Sequence, residues 1–396
     1  MNHFWDVLRD HVPWLAPILV FGVVIFVHEL GHFLAAKITG VYAPRFSIGF
    51  GAALWHHRWG ETEYRLAVLP LGGYVRMASR DDESMAMIEG GGETGPEVHG
   101  PDWDPNAMKP FGPKPVPEDR WFESKPLWAR LFIMLAGVTM NLVLAYVVLA
   151  GVFAHYGKPS GVQTPIVDSV VTNMPAATAG LIAHDSIVAV GGVPIHTALE
   201  AQDQLRPAIG KALTIDVVRS GKPMSFTVTP VAAQDTNAQT HAVSTIGRVG
   251  VLFRPEPMVP VPLPQAVALA GEKTVDLFEA IVESVGKLVT GQVSIKTLSG
   301  PVGIAKYSVQ AARSGLENLL LLLAVISVNL AVLNLLPIPI LDGGQIVVNV
   351  VESIRGTPLT LRTRELILRA GLLAIAFLFV VVMYNDRCVF FSALCS

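Results

Sequence analysis

Four long apolar stretches, Trp14 to Ala36, Leu131 to Phe153, Leu319 to Leu341 and Leu366 to Tyr384, dominate this 396-residue chain. Each is close to the roughly 20 residues that a helix needs to cross the hydrocarbon core of a bilayer. A chain with four such runs is not a soluble enzyme. Its composition agrees: 51% of the residues are hydrophobic and 15% charged, against about 25% charged in an ordinary soluble domain. The mean hydropathy is +0.48. The first stretch does not read as a cleavable signal peptide, because its flank (Asp6, Arg9, Asp10) is not basic and its apolar run continues through a polar cluster.

The net charge of −3 is spread along the chain, without a basic run, aromatic-basic interleaving or a Gly-rich phosphate loop. No nucleic acid is expected as a partner. Only two cysteines occur, Cys388 and Cys395, which excludes a zinc finger or a disulfide framework. They would either pair with each other or remain free thiols.

Between the first two apolar stretches the chain changes character. Phe46, Ile48 and Phe50 alternate, as do Tyr64, Leu66 and Val68, with a turn-prone His57 to Gly60 between them. This predicts a β-hairpin, followed by Pro70-Leu71-Gly72-Gly73-Tyr74. Asp81 to Asp119 is rich in Gly, Pro and acidic residues and is expected to be a flexible spacer. From Ser160 to Pro257, short β-branched runs (Ile166 to Val171, Ile187 to Val190, Leu213 to Val218, Ser225 to Thr229, Val249 to Phe253) separated by Gly and Asn turns predict a small mixed domain. Pro264 then opens an amphipathic helix with Val267, Ala270, Thr274, Leu277, Ile281 and Val285 on its apolar side. That face would lie on the membrane surface or pack on the soluble domain.

Lys37, Arg45, Arg120, Lys125, Arg355, Arg362 and Arg364 flank one set of connections, and Arg9, Lys158, Lys306, Arg313 and Arg387 the other. Basic residues concentrate on the cytoplasmic side. The hairpin is therefore expected in the cytoplasm, and both termini and the soluble domain outside it.

Inside the first stretch stands His28-Glu29-Leu30-Gly31-His32. On a helix, residues four apart share a face, so the two imidazoles converge as in a zinc pair, with Glu29 one step round as a base for an attacking water. Three ionisable groups in five residues of a membrane span are costly and hard to explain as packing. The alternative is a pair of histidines hydrogen-bonded between helices. A catalytic zinc usually takes three protein ligands and keeps an open position. Asn334-Leu335-Leu336-Pro337-Ile338-Pro339-Ile340-Leu341-Asp342-Gly343-Gly344 supplies an isolated acid, after two prolines that break the helix. Broken backbone at membrane depth lines protein or a water-filled cavity. Asp342 is thus the candidate third ligand, or else a cap for the helix that follows. The Asn334 amide can both donate to and accept from an extended peptide, or bond between helices. Adjacent His56 and His57 point to opposite sides of a strand and cannot both be ligands.

With these residues in view, the chain resembles the site-2 protease family of intramembrane zinc metalloproteases, in its bacterial RseP-like branch. The resemblance rests on H-E-L-G-H-F at His28 to Phe33, R-F-S-I-G-F-G at Arg45 to Gly51, P-L-G-G-Y-V-R-M at Pro70 to Met77, S-G-P-V-G-I at Ser299 to Ile304, and N-L-L-P-I-P-I-L-D-G-G at Asn334 to Gly344. It implies Zn2+ bound by His28, His32 and Asp342, Glu29 as general base, and Asn334, Pro337, Gly72 and Gly73 at the bound substrate. The stretch from Ser160 to Pro257 resembles a single PDZ domain, with P-A-x-x-A-G-L at Pro175 to Leu181 and D-S-I-V-A-V-G-G at Asp185 to Gly192; relatives often carry two. His184 stands where such domains often have Gly, and the family's G-P-x-x-N run in the second span reads Gly137-Val138-Thr139-Met140-Asn141 without its proline.

The expected fold class is a mostly α-helical polytopic membrane protein with four transmembrane helices, a membrane-re-entrant β-hairpin and an inserted α+β PDZ domain. Its segments would be 1–38, the first transmembrane helix; 39–80, the re-entrant hairpin; 81–125, the acidic cytoplasmic loop; and 126–157, the second transmembrane helix. The PDZ domain would take 158–258, the amphipathic connector 259–315, the third transmembrane helix 316–345, and the fourth with the tail 346–396. The expected function is cleavage of transmembrane segments of single-pass membrane proteins, such as an anti-sigma factor or remnant signal peptides, in a bacterial inner membrane. The PDZ domain and both termini would face the periplasm. Two other classes remain: a membrane PDZ adaptor with a vestigial metal site, and a metal transporter, which a single cluster without an inverted repeat disfavours.

Overall fold

The structure, a computed structural model, describes residues 13–79, 104, 106–161, 163–236, 243–254, 256–293 and 300–390. Cys395 and residues 80–103 and 105 lie outside them, so the cysteine pairing and the first part of the expected spacer are outside what is described; its remainder, 106–119, is held in turns, the Asp104 N–H donating to Phe111 O at 2.9 Å and the Lys109 N–H to Lys114 O at 2.9 Å. In chain order the elements begin with α1 (Ala16–Ile38), β1 (Arg45–Trp59), β2 (Thr62–Arg76) and α2 (Leu127–Tyr156). Next come β3 (Lys158–Pro159), β4 (Val167–Val170), α3 (Pro175–Ala179), β5 (Ser186–Val190), β6 (Val193–Pro194) and α4 (Ala198–Leu205). They continue with β7 (Leu213–Arg219), β8 (Lys222–Val228), β9 (Val231–Thr236), β10 (Val243–Arg248), β11 (Val251–Phe253) and β12 (Met258–Val259). The last five are α5 (Leu263–Val289), α6 (Pro301–Ser314), α7 (Leu316–Asn334), α8 (Asp342–Arg355) and α9 (Leu361–Phe390). They form two compact units, one reaching to Val152 and resuming at Val267, the other Phe153–Ala266.

In the first unit, four helices among the described residues are long and apolar enough to cross a membrane: Pro13–Ile38, Leu127–Tyr156, Leu316–Asn334 and Arg362–Asp386. Ala16, Val20 and Val24, spaced by four, bury one stripe of α1 against Ala312 of α6 and Leu319 and Leu323 of α7. The third apolar run does not continue as helix to Leu341. It stops at Asn334, because Pro337 and Pro339 lack N–H donors and proline disfavours helix in the residue before it. Residues 335–341 turn back, and Asp342 opens α8 rather than ending the span.

The hairpin is present with longer strands than its alternation suggests, the chain reversing at Gly60 and Glu61 instead of over His57 to Gly60. Its pairing is doubled. Phe46 faces both Tyr64 and Val75, Ser47 both Arg65 and Tyr74, and Ile48 both Leu66 and Gly73. The start of β1 therefore lies between the two halves of β2, with both of its ladder edges taken. Farther along, β1 leaves Leu54, Trp55 and Trp59 exposed.

The second unit holds an antiparallel sheet in the order β6-β5-β7-β8, with β4 paired to β11. Val167, Ile187, Val190, Ile215, Val217 and Val228 form its core with Ala201 and Leu205 of α4. Each of the five runs expected as strands contributes at least one residue to it, the fifth through Val249. The β9–β10 hairpin is additional; its tract lacks the apolar alternation that marks the others. His184 adopts the left-handed φ of 71° that a glycine would take most easily, and its Nδ1 accepts from the Arg254 guanidinium at 3.0 Å. The amphipathic helix is α5, in which Ala266 and Ala270 are buried while Val275 and Val282 are exposed.

Candidate metal centre

The site is built on two helix segments. The second half of α1 carries His28, Glu29 and His32, and both imidazoles are buried. Asp342 is the first residue of α8, one past the N-cap Leu341, and its Oδ2 faces the histidines. Glycines make that turn compact: a methyl at Gly343 would overlap the Leu335 carbonyl, and one at Gly344 the Ile338 carbonyl. Gln345 Nε2 donates to Pro339 O at 2.8 Å and closes the loop.

Three atoms converge. His28 Nε2 lies 3.2 Å from His32 Nε2, and Asp342 Oδ2 lies 3.3 and 3.4 Å from the two nitrogens. Tetrahedral zinc with bonds of roughly 2.0–2.1 Å sets neighbouring ligands about 3.3 Å apart, so these distances match one face of such a tetrahedron. Asp342 Oδ2 is buried and accepts no hydrogen bond. An orphaned carboxylate oxygen is costly unless a cation meets it. His32 Nδ1 donates to the Ile133 carbonyl at 2.8 Å, which leaves its Nε2 lone pair turned toward the other two atoms. The three residues together could hold a metal ion, and their donor set of two imidazoles and one carboxylate fits zinc.

A cavity of about 810 Å³ opens onto these atoms, and Glu29, Gly72, Gly73, Tyr74 and Asn334 line it. Asn334 Nδ2 also donates to His28 Nε2 at 3.1 Å. Of the residues expected at the substrate, Pro337 does not line the cavity and is exposed. Its place is in the turn that ends α7. His56 lies beside Glu63, 3.5 Å away, and not at the centre. At the far end of the cavity stands a polar group that the sequence offers no pattern to find, since its members come from three elements. Arg130 donates to Asn349 at 2.9 Å, and Glu352 accepts from Arg364 at 2.7 Å and from the Leu359 N–H at 2.8 Å.

Span-length helices around a site of this composition define a metalloprotease of the membrane. Residues 16–378 match the model of peptidase family M50. The chain is 33% identical to the regulator of sigma-W protease RasP of Bacillus subtilis, over 94% of this chain and 97% of that one. It is 33% identical to a putative zinc metalloprotease of Mesorhizobium japonicum, over 95% and 97%, and 30% identical to the probable protease eep of Enterococcus faecalis, over 93% and 97%. The chain belongs to peptidase family M50, the site-2 protease family. It is an integral membrane zinc metalloprotease.

Proposed function

We propose that this protein cuts peptide bonds within or next to the membrane-spanning helix of single-pass substrates, with His28, His32 and Asp342 as zinc ligands and Glu29 as general base. The observation that carries this reading is the triangle of Nε2, Nε2 and Oδ2 atoms at 3.2–3.4 Å beside a cavity lined by Glu29. Bound there, zinc would supply Lewis acidity toward the scissile carbonyl and lower the pKa of a water toward about 7. The Glu29 carboxylate takes the proton of the attacking water and returns it to the leaving nitrogen. Asn334, on the cavity wall, holds the substrate backbone through its amide.

A substrate helix hides its carbonyls in its own hydrogen bonds and must unwind first. Gly73 to Arg76 of β2, paired on one side with the start of β1, offers its other edge beside Glu29. Pairing there replaces bonds that lipid makes expensive to leave open. The exposed aromatic tip of the hairpin supports its re-entry into the membrane. Residues 158–258, which fall within the second unit, are read as a single PDZ domain facing the periplasm of a bacterial inner membrane, with an anti-sigma factor or remnant signal peptides as substrates. The full segment plan drawn from the sequence belongs to the same proposal, except that Asp342 belongs to α8.

The test is incubation of the purified protein with a model single-pass substrate, read by mass spectrometry of the products and elemental analysis of the enzyme. Glu29→Gln is expected to keep stoichiometric zinc and lose about 10²–10⁴-fold in cleavage rate. Chelation should abolish cleavage and re-addition of Zn2+ restore it. Unaltered biological activity of Glu29→Gln would favour the adaptor reading.

A further inference from the structure

We infer that Asn141 is the positioning residue of this centre, its side-chain oxygen accepting the Nδ1 proton of His28 so that Nε2 presents its lone pair to the metal position. The inference rests on the proposed ligand set. Asn141 sits in the middle of α2, fully buried, with its side-chain nitrogen 3.3 Å from His28 Nδ1. If that nitrogen donated to Nδ1, His28 would carry its proton on Nε2, the atom that stands 3.2 Å from His32 Nε2 and 3.3 Å from Asp342 Oδ2. A protonated nitrogen cannot be a ligand. A half-turn of the amide about Cβ–Cγ exchanges its oxygen and nitrogen without moving anything else. The oxygen is free to make this bond, because Asn141 Oδ1 is buried and no other donor reaches it.

The same arrangement exists at the other ring, where the Ile133 carbonyl holds His32 Nδ1 at 2.8 Å. Ile133 and Asn141 are both on α2, so one helix would set the tautomer of both ligands. Gly137, one turn before Asn141 on that face, lets the helix come close enough: a methyl there would overlap His32 Nε2 and come within 2.8 Å of His28 Cε1. Asn141 is itself fixed along the helix, since Ser327 Oγ of α7 donates to its main-chain carbonyl at 2.8 Å. Gly137 and Asn141 thus form a floor for the two imidazoles that needs no proline between them.

The experiment compares the full-length protein in detergent with Asn141→Leu, which keeps the branching at Cγ and removes the acceptor, and Asn141→Asp, which keeps the acceptor. Zinc affinity is read by competition with a chromophoric chelator, and ligand geometry by the visible spectrum of the Co2+-substituted protein. Asn141→Leu is expected to weaken zinc about 10–100-fold and to shift the Co2+ bands, while Asn141→Asp restores wild-type affinity and spectrum. Equal affinity in all three proteins, or equal loss in both variants, would overturn the inference. Should the leucine variant fail to fold, 15N-histidine NMR of the zinc-loaded wild type decides: Nδ1 protonated on both ligands is expected, and an Nε2 proton on His28 would overturn it. Wild type without stoichiometric zinc would remove the ligand set and this role together, whereas zinc-replete wild type with unresponsive variants would remove the role alone.

Discussion

At the residue scale, the space beside Glu29, the proposed general base, has no room for a methyl group at Gly73. A Cβ at Gly73 would stand 2.9 Å from Glu29 Cγ, 2.9 Å from Ser47 O and 3.2 Å from Ile25 Cγ2. Gly73→Val is therefore expected to displace Glu29, while His28, His32 and Asp342, the proposed ligands, are not among the atoms nearest that Cβ. The expected result is retained zinc with kcat reduced about 10–10²-fold, the cost of a misplacement near 1 Å; parallel elemental analysis and turnover measurements check it. Much of this scale is legible beforehand. Glu29 and the two histidines are readable from five consecutive residues, because one helical turn is enough to bring His28 and His32 together. Gly73 is singled out beforehand only through the resemblance of Pro70 to Met77, and its contact with Glu29 is not legible, since that neighbour arrives from a separate helix.

At the scale of elements, two buried carboxylates tie segments together. Asp386, near the end of α9, accepts from the main-chain N–H groups of Gly300, Val302 and Gly303 at 2.9, 3.0 and 3.1 Å. These are the orphan donors of the first turn of α6, and Pro301 among them has none to offer. This gives the run from Gly300 to Ile304 a physical reason that its spelling does not disclose. Asp386→Leu leaves three donors unmet, at roughly 1–3 kcal/mol for each that finds no water. Hydrogen exchange should show the first turn of α6 losing protection while the β5–β7 ladder keeps its own.

In the second unit, Asp185 is the corresponding tie. Burial would raise its pKa, but paired hydrogen bonds from Arg219 at 2.7 and 2.8 Å, the Ile182 N–H at 2.9 Å and the Arg219 charge outweigh that and hold it below the ordinary carboxylate range. A lowered folded-state pKa stabilises at every pH above the unfolded value, near 3.9, and the stabilisation disappears as pH falls toward the folded value. Protection factors across β5 and β7 are therefore expected to be level from neutral pH down to about 4 and to drop below it. Asp185→Asn should start lower and lose that acid dependence.

For the whole molecule, the proposed centre joins α1 to α8, segments separated by most of the chain. A ligand bound only by the folded state stabilises by RT ln(1 + [L]/Kd), about 2.7 kcal/mol when the free ligand is 100 times Kd. Stripping zinc with a chelator should lower the thermal midpoint of the detergent-solubilised protein by several degrees, and Zn2+, but not Mg2+, should restore it. A midpoint indifferent to chelation in a zinc-containing preparation would show that the ion does not bridge the two helices.

The apolar runs, the alternation of the strands and the four-residue spacing of the histidines are all properties of short windows, and each survives into the structure because helix and strand periodicity act within a few residues. The same windows could not disclose that Arg45 to Ile48 pair on both sides, that Asp386 caps a distant helix, or that Asn349, Glu352 and Arg364 line the cavity while Arg130 donates to Asn349 behind them. Asp342 lies between the two cases. Its isolation after two prolines is a local signal, but that it stands against the histidines was decided by packing, as residues 335–341 fold back and set its oxygen 3.3 Å from His28. Contacts between distant segments depend on how whole helices stack, and no local repeat encodes that.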